Sequence, residues 1–489
     1  MKTKYAVLFL VAAAIYCLGL ISTTDPDLWW HLKTGERILS DGVPVVDSFS
    51  FSVTGKLWTA HEWLSEVVLF SIFNAGGLPA LMIFFAVLGV VTFSFVYAGC
   101  PGRPYLAAIL TLLSFIASRF LWGARPQIFN ILMLAVFMWL IQTVRAGKRD
   151  WKWLCALPPL TLLWVNLHSG YLAGIVAMAV FLAGDAFQVF ALRSDEGTLP
   201  RKALVPFLVI TLLSLGAALV NPAGYRIFLY PFETLMSRAM NASLLEWQRP
   251  DFHYVQYWPF LAIMILGVLA FMISTPRRNF SNFLLYSGTM TLGLLARRHI
   301  PFFAVVAIPI IAGALAEGMT SSGWRGRFES WISPDRFRAV RFVVNPLLVV
   351  LFAAGVFFWT DLRLKKNNEA ISKRYPLAAV RFIKEKGLAG RQFFNEYNWG
   401  GYLIWNNIPV FIDGRADLYG DSFFLEYGAI FRRFKTVQEI AGIFSRYKVD
   451  GLLLRPRSAV AGLYRMNKEW KEIYRDRMAS VFVKVLPVA

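Results

Sequence analysis

The sequence predicts a mainly α, polytopic transmembrane helical bundle of about eleven spans with a small α/β domain at its C-terminal end. Three observations carry that reading. Of the 489 residues, 57% are hydrophobic and only 16% are charged, more apolar material than a soluble core of that size uses. The apolar residues fall into blocks such as Tyr5 to Ile21, Leu78 to Tyr97 and Phe342 to Thr360. Each is long enough to cross a hydrocarbon layer of about 30 Å at about 1.5 Å per residue. From residue 361 onward the composition turns charge-rich.

The chain opens with Met1-Lys2-Thr3-Lys4 and an apolar stretch, but no small-x-small cleavage site precedes the polar segment at Thr23. An uncleaved first span is therefore expected. Further spans are read at about 78 to 98, 104 to 121, 126 to 144, 153 to 165, 170 to 192, 203 to 220, 257 to 274, 281 to 296, 300 to 317 and 342 to 360. The net charge of +20 invites a nucleic-acid reading, but the basic excess sits in short loops beside spans. With Lys2 and Lys4 cytoplasmic, the same side receives Arg103, then Arg145, Lys148, Arg149 and Lys152, then Arg193, Arg201 and Lys202. Arg277 and Arg278 follow, then Arg325, Arg327, Arg336, Arg338 and Arg341. That alternation is the positive-inside pattern of a bacterial-type inner membrane, and it puts residues 22 to 77, 221 to 256 and everything after 361 on the outer face.

Within 22 to 77, Trp63 to Phe73 is apolar but short and ends at Gly76-Gly77, which suits a helix lying in the interface better than a crossing. After 361, strand-like runs are read at Gln392 to Asn395, Val410 to Asp413, Gly451 to Leu454 and Ala479 to Val485. Helical patterns lie at Leu377 to Lys386 and Val437 to Tyr447. Cys17, Cys100 and Cys155 have neither disulfide-framework nor zinc spacing.

The polar residues with chemical potential collect on the expected outer face. Thr24-Asp25-Pro26-Asp27 sets two carboxylates at the end of the first span, suited to a divalent cation or to general-base work on a hydroxyl. The plain alternative is that one of them caps the helix beginning near Leu28 while Trp29 and Trp30 form an interfacial belt.

Here the chain resembles the C-type glycosyltransferase superfamily. Asp27 just past the first span is followed by Trp30 or His31, Gly35 and Ile38-Leu39. A second interfacial helix opens at His61-Glu62-Trp63, before a many-span body and a C-terminal outer domain. The resemblance implies a transmembrane glycosyltransferase-like domain over 1–360, including the first outer loop 22–77, and an extracytoplasmic α/β domain over 361–489. It implies a polyprenyl-phosphate-linked sugar as donor, a glycan, lipid or protein as acceptor, membrane lipid as surroundings and no nucleic-acid partner. Asp27 is then the catalytic acid, Asp25 the second choice and Glu62 a third. Asp25 and Asp27 would also be the ligands of a divalent cation, if one is used. The loop Ser118 to Gln127 holds Arg119 and Arg125 and no acid, and no Trp-Trp-Asp signature occurs. Transfer of a single hexosyl or pentosyl unit, of the inverting type, therefore fits better than block transfer to asparagine.

Arg297-Arg298-His299 stands at the outer end of a span against the charge rule, and guanidinium groups are bidentate donors to phosphate. Arg125 belongs with it, and snorkelling or pairing with an acid is the competing account. His61 beside Glu62 suits a tuned base, although a helix start explains Glu62 equally well. His168 in Asn166 to Gly170 is either a ligand contact or part of a polar turn. Glu246 is a weaker candidate, and Asn241-Ala242-Ser243 fits a glycosylation triplet that is commonly accidental. In the C-terminal domain, Asp413, Arg415 and Asp417 follow a strand-like run among aromatic residues, a setting for acceptor binding, unless Asp413-Gly414 is only a turn and the tyrosines are packing. A transporter or flippase is the rival from another class, and a surface-polysaccharide polymerase or ligase shares the substrate class. Transporters gather ionisable residues near the midplane, and here Asp185 is the main one. The enzymatic reading requires Asp27 and Arg298 to serve one cleft.

Overall fold

The structure is a computed structural model that describes residues 3–101, 103–273, 280–321, 340–432 and 435–485. The basic loops read at Arg277 and Arg278, and at Arg325 to Arg338, lie outside the described residues. Every one of the eleven apolar segments contains helix, from Thr3–Gly19 to Asn345–Ser372. Among the described residues, seven helices are long and apolar enough to cross a membrane. They are Trp63–Gly99, Pro104–Leu121, Ile128–Arg145, Ser169–Phe190, Val255–Ile273, Arg297–Gly318 and Phe342–Ser372.

The chain divides into two compact units. The first comprises Met1–Ile21, Met82–Gly224 and Leu245–Arg363. Its centre is the Ile300–Ser321 helix, which packs on Phe280–Leu295, Trp258–Ile273, Pro104–Ser118 and Ile128–Arg145. Phe303 through Ile308 are all at most 1% exposed, as expected of a helix that is apolar all round and enclosed by others. Small side chains allow close approach: Ser114 Oγ donates to the Ala304 carbonyl at 2.9 Å. Asp185, the mid-body acid, is fully satisfied. Arg145 donates to it from Nε and Nη2 at 3.0 and 2.9 Å, the Leu199 amide at 2.8 Å, and Ser281 Oγ also donates. Such saturation is what makes an ion pair tolerable in a helix body, and it leaves Asp185 a structural anchor.

The second unit comprises Ser22–Leu81, Tyr225–Leu244 and Leu364–Ala489, so the C-terminal segment folds together with the first polar segment and part of 221 to 256. Its sheet has strands β1 (Phe393–Asn395), β2 (Gly451–Leu454), β3 (Trp470–Arg475) and β4 (Ser480–Lys484), in the order β1-β2-β4-β3. β1 and β2 are parallel and the other pairs antiparallel, with Phe394 opposite Leu452 and Leu452 opposite Phe482. The run Val410 to Asp413 is not a strand. Val410 makes single bridges to Ser50 and Phe393, and the amides of Phe411 and Ile412 donate to Asn395 Oδ1 at 2.8 and 3.4 Å. A side-chain amide replaces the ladder there. The Trp63–Gly99 helix breaks at Gly76 and Gly77, where φ is −158° and +64°, at the boundary read from the sequence.

Candidate functional site

In the second unit, the turn Asp25-Pro26-Asp27 leads into the Leu28–Asp41 helix. Asp27 occupies the N-cap position but makes no capping hydrogen bond. Its Oδ1 accepts from Trp30 Nε1 at 3.3 Å, and its backbone amide donates to Asp25 Oδ1 at 3.0 Å. Tyr375 Oη donates to the Asp25 carbonyl at 2.8 Å, and Trp29 packs edge-on against Tyr375 and Tyr402. The carboxylate of Asp27 lies against Gly414, where any Cβ would overlap its Oδ1. Glycine is what lets these two segments approach. Among the described residues Asp25 and Asp27 join no group of three metal-ligating side chains.

Asp413 and Arg415, on either side of Gly414, form a closed ion pair. Arg415 donates from Nε and Nη2 to Asp413 at 2.8 and 2.7 Å and from Nη1 to Asp47 at 2.7 Å. Tyr419 Oη donates to Asp413 at 2.6 Å, and the guanidinium sits 4.8 Å from the Trp58 ring centroid. Arg415 is 1% exposed and Asp413 0%. Burial would raise the Asp413 carboxyl, but the adjoining Arg415 outweighs it and holds the group below the usual carboxylate range. The same burial, with Asp413 beside it, raises the Tyr419 hydroxyl. These side chains hold the Gly414 turn against Asp27 rather than face solvent.

Glu62 lies between two imidazoles, 3.4 Å from His31 Nδ1 and 3.2 Å from His61 Nε2. The His61 ring lies 4.2 Å from that of Tyr230, whose hydroxyl donates to Asp417 at 3.1 Å. Burial pulls His61 down, but Glu62 more than reverses it, so its pKa is raised. Beside Tyr230 opens a cavity of about 460 Å³ lined by Lys56, Trp58, Arg226, Glu233 and Asp417, within the range of small-molecule sites. Sequence reading missed Lys56, Arg226 and Tyr230, which come from two distant stretches and stand in no local motif, whereas Asp417 belongs to the polar run that starts at Asp413.

In the first unit, Glu246 joins two of the expected phosphate-binding arginines. Its carboxylate is 2.9 Å from Arg125 Nη1 and 3.7 Å from Arg298 Nη1, and Arg298 stacks on Trp247 with its guanidinium 4.2 Å from the ring centroid. All three charged side chains remain about a quarter exposed. Burial raises the Glu246 carboxyl, but Arg125 and Arg298 bring it below its ordinary value. Arg297 turns away, donating to the Arg249 carbonyl at 3.1 Å, and His299 Nδ1 meets the Leu292 carbonyl at 3.3 Å. His168 belongs to a buried polar turn: its Nδ1 accepts from the Gly170 amide at 3.1 Å and faces Asn130 Nδ2 at 2.9 Å. Asp27 and Arg298 thus fall in different units.

No protein-family model matches the sequence, and no curated protein matches it. Solved structures do. The apo oligosaccharyltransferase of Archaeoglobus fulgidus superposes with a TM-score of 0.58 at 12% identity, covering 93% of this chain and 70% of that one. ArnT from Cupriavidus metallidurans in the apo state superposes with a TM-score of 0.55 at 14% identity over 99% of this chain and 98% of that one. The chain shares the fold of these two proteins. The same ArnT bound to undecaprenyl phosphate matches with a TM-score of 0.52 at 13% identity, over 100% and 99% of the two chains. The Archaeoglobus AglB in complex with an inhibitory peptide and a dolichol-phosphate matches with a TM-score of 0.58 at 12% identity over 92% and 69%. The fold is shared at identities that leave almost every side chain different, so residue roles rest on this chain's own geometry.

Proposed function

We propose that this protein is an inverting membrane glycosyltransferase that moves a single sugar from a polyprenyl-phosphate carrier to an acceptor on the outer face of the inner membrane. The observation that carries the reading is a glycosyltransferase fold shared end to end with a protein that binds undecaprenyl phosphate. In the reaction the acceptor oxygen attacks the anomeric carbon and gives its proton to the Asp27 carboxylate. The carbon–oxygen bond to phosphate breaks, and the carrier phosphate leaves with the electron pair. Such a displacement needs a base on one side and fixed positive charge on the other. Within the first unit, Arg125 and Arg298 are the candidate groups for holding a phosphate, with Glu246 as their counter-ion until phosphate replaces it. Asp413 and Arg415 act by holding Gly414 against Asp27. The cavity beside Tyr230, with aromatic faces and charges of both signs, is the place for the acceptor or the sugar.

Binding of undecaprenyl phosphate to the purified protein, followed by native mass spectrometry, tests the phosphate assignment. Replacing both Arg125 and Arg298 by Gln should weaken binding by about tenfold or more, since hydrogen bonds between charged groups contribute about 1.5–3 kcal/mol each. Unchanged binding would remove these arginines from the proposal. The orientation is tested by a C-terminal alkaline phosphatase fusion. It should be active, and an inactive fusion beside an active cytoplasmic reporter would reverse the topology.

A further inference from the structure

Where the Leu28–Asp41 helix meets the first turn of the Trp63–Gly99 helix, three ionisable side chains converge away from solvent. His31 Nδ1 is 3.1 Å from Glu66 Oε1 and 3.4 Å from Glu62 Oε2. His31 is 3% exposed, Glu62 8% and Glu66 1%. Helical spacing assembles them. Glu62 and Glu66 are four residues apart and share a face, and His31 is one turn from Gly35, whose missing Cβ makes room for the Glu66 carbonyl.

A single N–H at His31 Nδ1 points to one carboxylate at a time, and Glu66 Oε2 is buried and accepts no hydrogen bond. The Arg415 guanidinium is committed to Asp413 and Asp47. Leaving a buried acceptor unmade costs about 1–3 kcal/mol, and more for a charged group. The spacing suits an ion instead. Tetrahedral zinc with nitrogen and oxygen ligands at about 2.0–2.1 Å has ligand-to-ligand edges of about 3.4 Å.

We propose that His31, Glu62 and Glu66 form a divalent-cation site of the zinc class, separate from Asp25 and Asp27. One imidazole with two carboxylates suits zinc or a neighbouring transition ion rather than calcium or magnesium, which take oxygen ligands. His61, at the other oxygen of Glu62, orients that carboxylate from outside. The ion ties the two helices together. The Trp30 ring lies 3.6 Å from the His31 ring and donates to Asp27, so the ion also positions the turn that carries Asp27. Cation binding stands or falls independently of the transferase reading.

The test uses full-length protein purified in detergent without chelator. Elemental analysis should find near-stoichiometric zinc, stripping with EDTA should lower Tm, and added zinc chloride should restore it. Cobalt loaded into the wild type should give the intense visible absorption of a four- or five-coordinate ion. Glu66→Gln, which preserves size, should weaken zinc binding about tenfold or more. Should that variant fail to fold, the wild-type cobalt spectrum decides. A weak six-coordinate spectrum, a Tm indifferent to stripping, or wild-type zinc affinity in folded Glu66→Gln would overturn the site.

Discussion

Asp413 shows how a residue read as a ligand contact serves as a support. Replacing it by Asn leaves Arg415 buried with only Asp47 for charge compensation, and breaking one side of a buried ion pair costs about 3–5 kcal/mol. Denaturation of the purified variant should show a loss of that order. Because the folded-state carboxyl is held low, its contribution is present above the unfolded carboxylate value and is lost as pH falls through the folded value. Wild-type stability should therefore decline below about pH 4, the ordinary carboxylate range, and Asp413→Asn should decline less steeply there. Parallel acid limbs in the two proteins would contradict this assignment. The position of Asp27, just past the first apolar helix, was legible in the sequence because it is a local feature. The engagement of Asp413 and Arg415 with Asp47 was not, because its partners lie 368 residues apart in sequence.

At the scale of elements, the crossing of the Leu28–Asp41 and Trp63–Gly99 helices depends on Gly35. Gly35→Ala would drive a methyl group into the Glu66 backbone, an overpacking expected to cost roughly 1–3 kcal/mol. Gly216→Ala, on the Arg201–Ala217 helix with open space at its Cβ, should be neutral or slightly stabilising in the same melting measurement. Equal effects at the two positions would dismiss the close approach. Helices were legible because long apolar runs and the Gly76-Gly77 break are one-dimensional signals. Strands were less so. β1, β2 and β4 coincide with apolar runs, whereas β3, Trp470-Lys471-Glu472-Ile473-Tyr474-Arg475, is charged, half-exposed and irregular between Glu472 and Tyr474. It is an edge strand, with little apolar alternation to reveal it. Val410 to Asp413 erred the other way, because its apolar residues are buried without a ladder.

For the whole molecule, composition and the spacing of apolar runs pointed to a multi-pass membrane protein, and the fold agrees from end to end with that of ArnT from Cupriavidus metallidurans. What one dimension concealed was the grouping of residues 22–81 and 225–244 with the C-terminal segment in one compact unit. That grouping is written in contacts such as the Phe51 amide on the Val410 carbonyl at 3.1 Å. It gathers Asp27, Glu62, Tyr230 and Asp413 into one unit, although they arise from three separated stretches. The central claim is that Asp27 is the base of a sugar transfer from a polyprenyl-phosphate carrier. Its most direct test is the release of free polyprenyl phosphate from a radiolabelled polyprenyl-phosphate sugar by purified protein with acceptor present, comparing wild type with Asp27→Asn. The wild type should turn over, and the variant should fall by about 10²-fold or more, the scale of general-base catalysis, with its melting temperature unchanged. Equal release by a folded Asp27→Asn protein would contradict the account.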